Sequence, residues 1–163
     1  MGNTGDSRTI MLYPGNLQLL KGLNLYRLLF PKPVLVVNRE GIFNNPLSLW
    51  FVNLKMSISW EEIAAIYLQE LTLHGKKGTK TYHLLCILPK DFAGFVEREQ
   101  LGGRGRFAVL GAMAASDAPF MIFEKTIFPH GLDELFDRIR ESYQEEIQAH
   151  GIDIREKQQV THG

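Results

Sequence analysis

Cysteine is almost absent from this chain: its 163 residues include one, Cys86, so no internal disulfide can staple the fold. An excess of either charge is also absent, since 18 Lys and Arg balance 18 Asp and Glu. A neutral chain has no global pull toward nucleic acid and no basic stripe supplies a local one, so no nucleic acid is expected as a partner. No run reaches the ~18 to 20 apolar residues that a bilayer-crossing helix needs. The first residues lack the charged start, apolar centre and small-residue cleavage site of a secretory signal; as given, the chain reads as soluble. The histidines, at 74, 83, 130, 150 and 162, show no metal-ligand spacing, and Cys86 has no second cysteine beside it, so neither metal nor cofactor is expected. Gly-x-Ser-x-Gly is missing, and so are the Walker A and dinucleotide-binding glycine patterns. Glu61-Glu62 suits the start of a helical turn better than an acid–base pair. With no catalytic constellation, the expectation is that the protein is not an enzyme.

What is present is a fold. An apolar fraction of 45% and a length suited to one domain predict a single substantial core. Residues 1–8 are short, polar and expected to be disordered. Thr9-Ile-Met-Leu-Tyr13 predicts a strand stopped by Pro14-Gly15. Residues 17–30 are apolar nearly all round, which suits a helix or irregular segment packed on the core, or a membrane-contacting segment. Pro31-Lys-Pro33 leads into the β-branched run Val34-Leu-Val-Val37, a buried strand. A turn at Glu40-Gly41 and an extended Ile42-Phe43 follow. Residues 47–56 read as strand and then loop.

Two alternating runs, residues 64–74 and 79–88, flank Gly75-Lys-Lys-Gly78, the signature of a long β-hairpin. Neither face of its first strand is cleanly polar, so both faces are expected to be partly covered. Cys86, inside Leu84-Leu-Cys-Ile-Leu88, fits a small buried hydrophobe. Residues 90–100 predict a helix, and 107–115 a second one beyond the linker Gly102-Gly-Arg-Gly-Arg106. Phe120-Met-Ile-Phe123 predicts a last strand. Leu132, Leu135, Phe136, Ile139, Tyr143 and Ile147 form one apolar stripe of a C-terminal helix with acids in its first turn. Gly151 stops that helix, and residues 151–163 are expected to fray as a polar tail.

This order of elements resembles a pleckstrin-homology-like (PH-like) fold, and more closely a bacterial family of uncharacterised PH-like proteins. The resemblance rests on Val34-Leu-Val-Val-Asn-Arg-Glu-Gly-Ile42, Ile58-Ser-Trp-Glu-Glu-Ile-Ala-Ala-Ile66, the helical insertion at 90–115, Ala118-Pro-Phe-Met-Ile-Phe123 and the helix at 132–147. It implies an α+β fold: a partly open β-barrel of two packed antiparallel sheets, with a helical insertion and a C-terminal capping helix, formed by residues 9–150. Members of the family commonly carry a transmembrane hairpin after the first strand. Here the interval near 15–30 is too short for one: either this member lacks the anchor or the anchor was deleted, and deletion is the favoured expectation. A protein carrying it would sit on the cytoplasmic side of the bacterial inner membrane.

The function the resemblance implies is a binding or scaffold module for an unidentified protein or lipid partner. The alternative is a small-molecule carrier or enzyme with a pocket lined by Trp50, Phe51 and Tyr67. Lys76, Lys77 and Lys80 at the hairpin tip are the candidate contact with anionic lipid, set against the common occurrence of lysine at solvated turns. His74 and His83 are close enough in sequence to meet across the hairpin, but a solvated or sheet-surface placement is the better expectation. Ile58, Trp60 and Ile63 are expected to anchor a sheet corner, with Glu61 and Glu62 facing water.

Overall fold

A computed structural model of the protein describes residues 8–13, 32–44, 56–76, 78–98, 120–127 and 129–162. Alternation of apolar residues builds the first sheet, an antiparallel meander of β1 (Ile10–Leu12), β2 (Leu35–Val37), β3 (Gly41–Asn44) and β4 (Met56–Ser59). Side chains two apart on a strand share a face, and the register lines them up across all four strands. Ile10, Val37, Ile42 and Ile58 form one buried row, and Leu12, Leu35, Asn44 and Met56 the next. Asn38 closes the β2–β3 turn by accepting hydrogen bonds from the amides of Glu40 (2.8 Å) and Gly41 (3.2 Å) through Oδ1. Gly41 is required there because any Cβ would collide with the Ile58 carbonyl on β4.

A single 3-10 turn, Trp60–Glu62, swings the chain from the first sheet into the second. Ser59 and Glu62 form a reciprocal capping box around it, with the Ser59 amide (3.0 Å) and hydroxyl (2.7 Å) both donating to Glu62 Oε2. The second sheet is formed by β5 (Ile63–Gly75), β6 (Gly78–Pro89), β7 (Phe120–Phe123) and β8 (Asp153–His162), in the order β7-β6-β5-β8. Its centre is the expected hairpin, β5 (Ile63–Gly75) against β6 (Gly78–Pro89), paired antiparallel down to Gly75 opposite Gly78. β7 (Phe120–Phe123) pairs antiparallel with the base of β6.

Among the described residues the helices are α1 (Phe92–Arg98), the one-turn α2 (Glu124–Ile127), α3 (Leu132–Ser142) and α4 (Gln144–Ala149). The expected stripe is observed: Leu132, Leu135, Ile139, Tyr143 and Ile147 are buried and Phe136 packs beside them. Inner residues of both sheets and of this stripe belong to one hydrophobic cluster. A second cluster, Ala65, Tyr67, Leu71, Leu84 and Cys86, lies on the opposite face of the β5–β6 hairpin. Both hairpin faces are therefore partly covered, as the lack of a polar face predicts.

Three expectations are corrected. The tail does not fray: β8 (Asp153–His162) runs parallel to β5, so Phe120–Phe123 is not the last strand. Gly151, at φ 63°, turns the chain from α4 into it. Ile154 pairs with Ile66 and Val160 with Leu71, so few apolar contacts hold a strand otherwise made of Asp, Arg, Glu, Lys, Gln, Thr and His. Second, the C-terminal helix breaks at Tyr143, whose φ −120°, ψ 28° is not helical. Third, the sheets are not wholly antiparallel, because β8 pairs parallel to β5; the expected α+β class with two four-stranded sheets is observed, and among the described residues these sheets do not close into a barrel. The segments read as 17–30, 47–55 and 107–115 lie outside the described residues.

Removing residues 153–163 should uncover the β5 edge. The thermal midpoint is expected to fall by about 5–10 °C, and amide exchange along β5 should accelerate. An unchanged midpoint with unchanged β5 protection would contradict a structural role for β8.

Candidate functional site

Four places gather chemically capable side chains, and their geometry separates them. The corner holds Ser59, Glu61 and Glu62. Glu62 does not simply face water: it receives both Ser59 donors and ion-pairs with Arg98 of α1. Arg98 also donates to the Ser57 carbonyl (3.0 Å) and lies 5.4 Å from the Phe95 ring centroid. The Ser59 hydroxyl is thus bound into a cap and ties the corner to α1. Trp60 is buried and its Nε1 donates to the Asn38 carbonyl (2.8 Å).

Cys86 is fully buried in the second cluster, where its thiol donates to Gln69 Oε1 at 3.2 Å. Burial pushes that thiol up from 9.0 to about 12, the opposite of what a nucleophile needs. The side chain behaves as a small apolar group, as its sequence context suggested.

Beside the helix, Gln69, His83, Glu124, Asp133 and Lys157 line a cleft of about 10 Å³, room for about one water. Glu70 Oε2 stands 3.8 Å from His83 Nδ1 and 3.7 Å from Lys157 Nζ. These are half-exposed pairs of small energetic weight. His74 and His83 do not meet: His83 faces Glu70 across the ladder, and His74 faces Thr79, its Nδ1 2.9 Å from the Thr79 hydroxyl. Among the described residues no group of three His, Cys, Asp or Glu side chains could hold a metal ion.

The fourth place is the hairpin tip. Lys76 and Lys80 are both exposed, and Leu73, His74, Lys76, Lys80 and Tyr82 line an open depression of about 320 Å³. Ladder pairing puts Leu73 opposite Lys80 and Leu71 opposite Tyr82, so all four side chains share the face of the second cluster. Lys77 lies outside the described residues. Sequence reading found the lysines but not Leu73 and Tyr82 as their companions. The signal was the Gly75–Gly78 pairing, which fixes the register of everything below it.

Of the proposed small-molecule pocket, Trp50 and Phe51 lie outside the described residues. Tyr67 is buried, with the Arg155 guanidinium 5.6 Å from its ring centroid. The glycine-rich linker at 102–106 is likewise outside the described residues.

The Cys86 geometry fixes a pH dependence. Below pH 9 the thiol is protonated in both folded and unfolded chains. Above it the unfolded thiol ionises while the folded one holds its proton to about 12, so the unfolded state binds fewer protons. Stability should therefore fall as pH rises from 9 toward 12, by about 1.4 kcal/mol per unit. Urea midpoints measured over that range should show this slope in the wild type and lose its thiol part in Cys86→Ala; equal slopes would contradict burial of the thiol. Comparison of the chain with protein-family models, curated proteins and solved structures found no match.

Proposed function

We propose that this chain is a non-enzymatic binding or scaffold module of PH-like architecture, working at the cytoplasmic face of a bacterial membrane on a protein or lipid partner. The observation that carries the reading is where the free surface lies. The space between the sheets is filled by side chains of both sheets and of α3 and α4. Among the described strands β8 lies at an edge of its sheet, and the hairpin tip projects beyond its neighbour β7. Filled interiors with open strand edges suit recognition by surface docking or strand addition. A carrier needs roughly 300 Å³ or more of enclosed, largely apolar space. The depression of that size at the tip is open to solvent, and Tyr67 is spent on packing.

Two four-stranded sheets beside a C-terminal helix are compatible with the partly open PH-like barrel that the sequence resembles. The membrane part of the proposal rests on that resemblance alone. Among the described residues no helix is long and apolar enough to cross a membrane.

Fractionation of bacteria expressing the natural full-length protein should place it with the inner membrane, with this domain digested only when protease reaches the cytoplasmic side. Recovery in the soluble fraction would reject the membrane assignment. Titration with a fluorescent fatty acid separates the carrier alternative: saturable one-to-one binding would favour the carrier over the docking module.

A further inference from the structure

A net-neutral chain has to put its positive charge somewhere, and among the described residues one end of the second sheet receives cations without acids. Residues 71–82 contain Lys76, Lys77 and Lys80 and no Asp or Glu. The strand beside them adds none: Val160, Thr161 and His162 of β8 pair with Leu71, Thr72 and Leu73. β7 does not reach this end, because its last pairing is Phe123 with Leu84. The nearest acid on β5 is Glu70, five residues from Gly75, or about 16 Å along a strand. That is about two Debye lengths at physiological salt. Glu70 also already faces His83 and Lys157.

Chemistry changes in order along one face of this projection. Leu71 is buried, Leu73 and Tyr82 are half-buried, and Lys80 and Lys76 are exposed. An apolar patch grading outward into an amphipathic aromatic and then into lysines matches the layers of an anionic membrane surface. Tyrosine suits the headgroup level, and lysine stems lie along apolar surface while their ammonium groups reach phosphates. The open, unenclosed shape of the depression suits a surface better than a captured solute. From these features we infer that the β5–β6 tip docks on an anionic lipid bilayer, through Lys76 and Lys80 with Tyr82 and Leu73 at the interface. This deepens the binding-module reading and rests on it, naming the partner of one surface.

The test uses the chain as it stands and vesicles of phosphatidylcholine with or without about 30% phosphatidylserine. Co-sedimentation should require the anionic lipid and weaken at high salt. Each lysine near a charged membrane is worth roughly fivefold in partitioning, so Lys76→Ala with Lys80→Ala should cost about 25-fold. Lys32→Ala with Arg138→Ala removes the same charge elsewhere on the surface and should leave binding near the wild-type level. Thermal melting of each variant excludes unfolding as the cause. Equal losses in the two double variants would show that net charge alone acts, and would overturn the tip assignment. Equal binding to neutral vesicles, or none to either kind, would overturn it too, as would displacement by millimolar inorganic phosphate, which would make the tip a soluble-phosphate site. The inner-membrane fractionation can succeed or fail independently of all these outcomes.

Discussion

Everything in this structure hangs on one buried pair of aromatic rings. Trp60, in the turn between the sheets, stacks on Tyr143, at the break between α3 and α4, with centroids 5.0 Å apart and planes at 28°. Both reach for the same stretch of backbone. Trp60 donates to the Asn38 carbonyl at 2.8 Å, and the Tyr143 hydroxyl lies 2.8 Å from the Val37 carbonyl and 2.9 Å from that of Arg8. The end of β2, the approach to β1, the inter-sheet corner and the helix junction therefore meet at one point. Buried donors left without acceptors cost about 1–3 kcal/mol each, so the rings can occupy no other position cheaply. The break at Tyr143 has its physical reason here: the hydroxyl must turn toward the strand ends. Arg8 closes the assembly from outside, its guanidinium 5.7 Å from the Tyr143 ring centroid and 3.1 Å from Glu146.

With the corner fixed, the second sheet can extend away from the core. β5 and β6 are longer than any strand of the first sheet, and only their lower halves are needed to bury the shared cluster. The upper half is free to carry surface chemistry, and it is there that the cations separate from the acids. β8 supports this extension along one side, pairing with β5 from Ala65 up to Leu73. A bulge sets Glu156 and Lys157 opposite Leu68, between the Tyr67–Arg155 and Gln69–Gln158 pairs. The charged side chains of β8 suit an edge strand, where they discourage unplanned pairing.

Most of this frame was legible in the sequence because burial imposes periodicity. The hairpin showed through its alternating runs around Gly75 and Gly78, and the final helix through the stripe from Leu132 to Ile147. Trp60 was legible as a corner because it sits between Ile58 and Ile63. β8 was not, since an edge strand paired on one side needs few apolar residues, and only Ile154 and Val160 mark it. Nor was the break at Tyr143, because a tyrosine on an apolar stripe looks the same whether its hydroxyl seeks water or a distant carbonyl. Glu62 was misplaced for a similar reason: the Ser59–Glu62 spacing allows a capping box, but the pairing with Arg98 depends on where α1 lands. At the tip the lysines were visible, while their apolar companions required the ladder register.

The most direct test of the central claim is a double-mutant cycle on Trp60→Phe and Tyr143→Phe, followed by urea unfolding. Each substitution keeps a ring in place and removes its hydrogen-bonding group. If the two rings hold a common strand end, the cycle should show a coupling of about 1 kcal/mol or more. Losses that add to within about 0.3 kcal/mol would mean that the rings act independently, and that the fold does not depend on their joint grip.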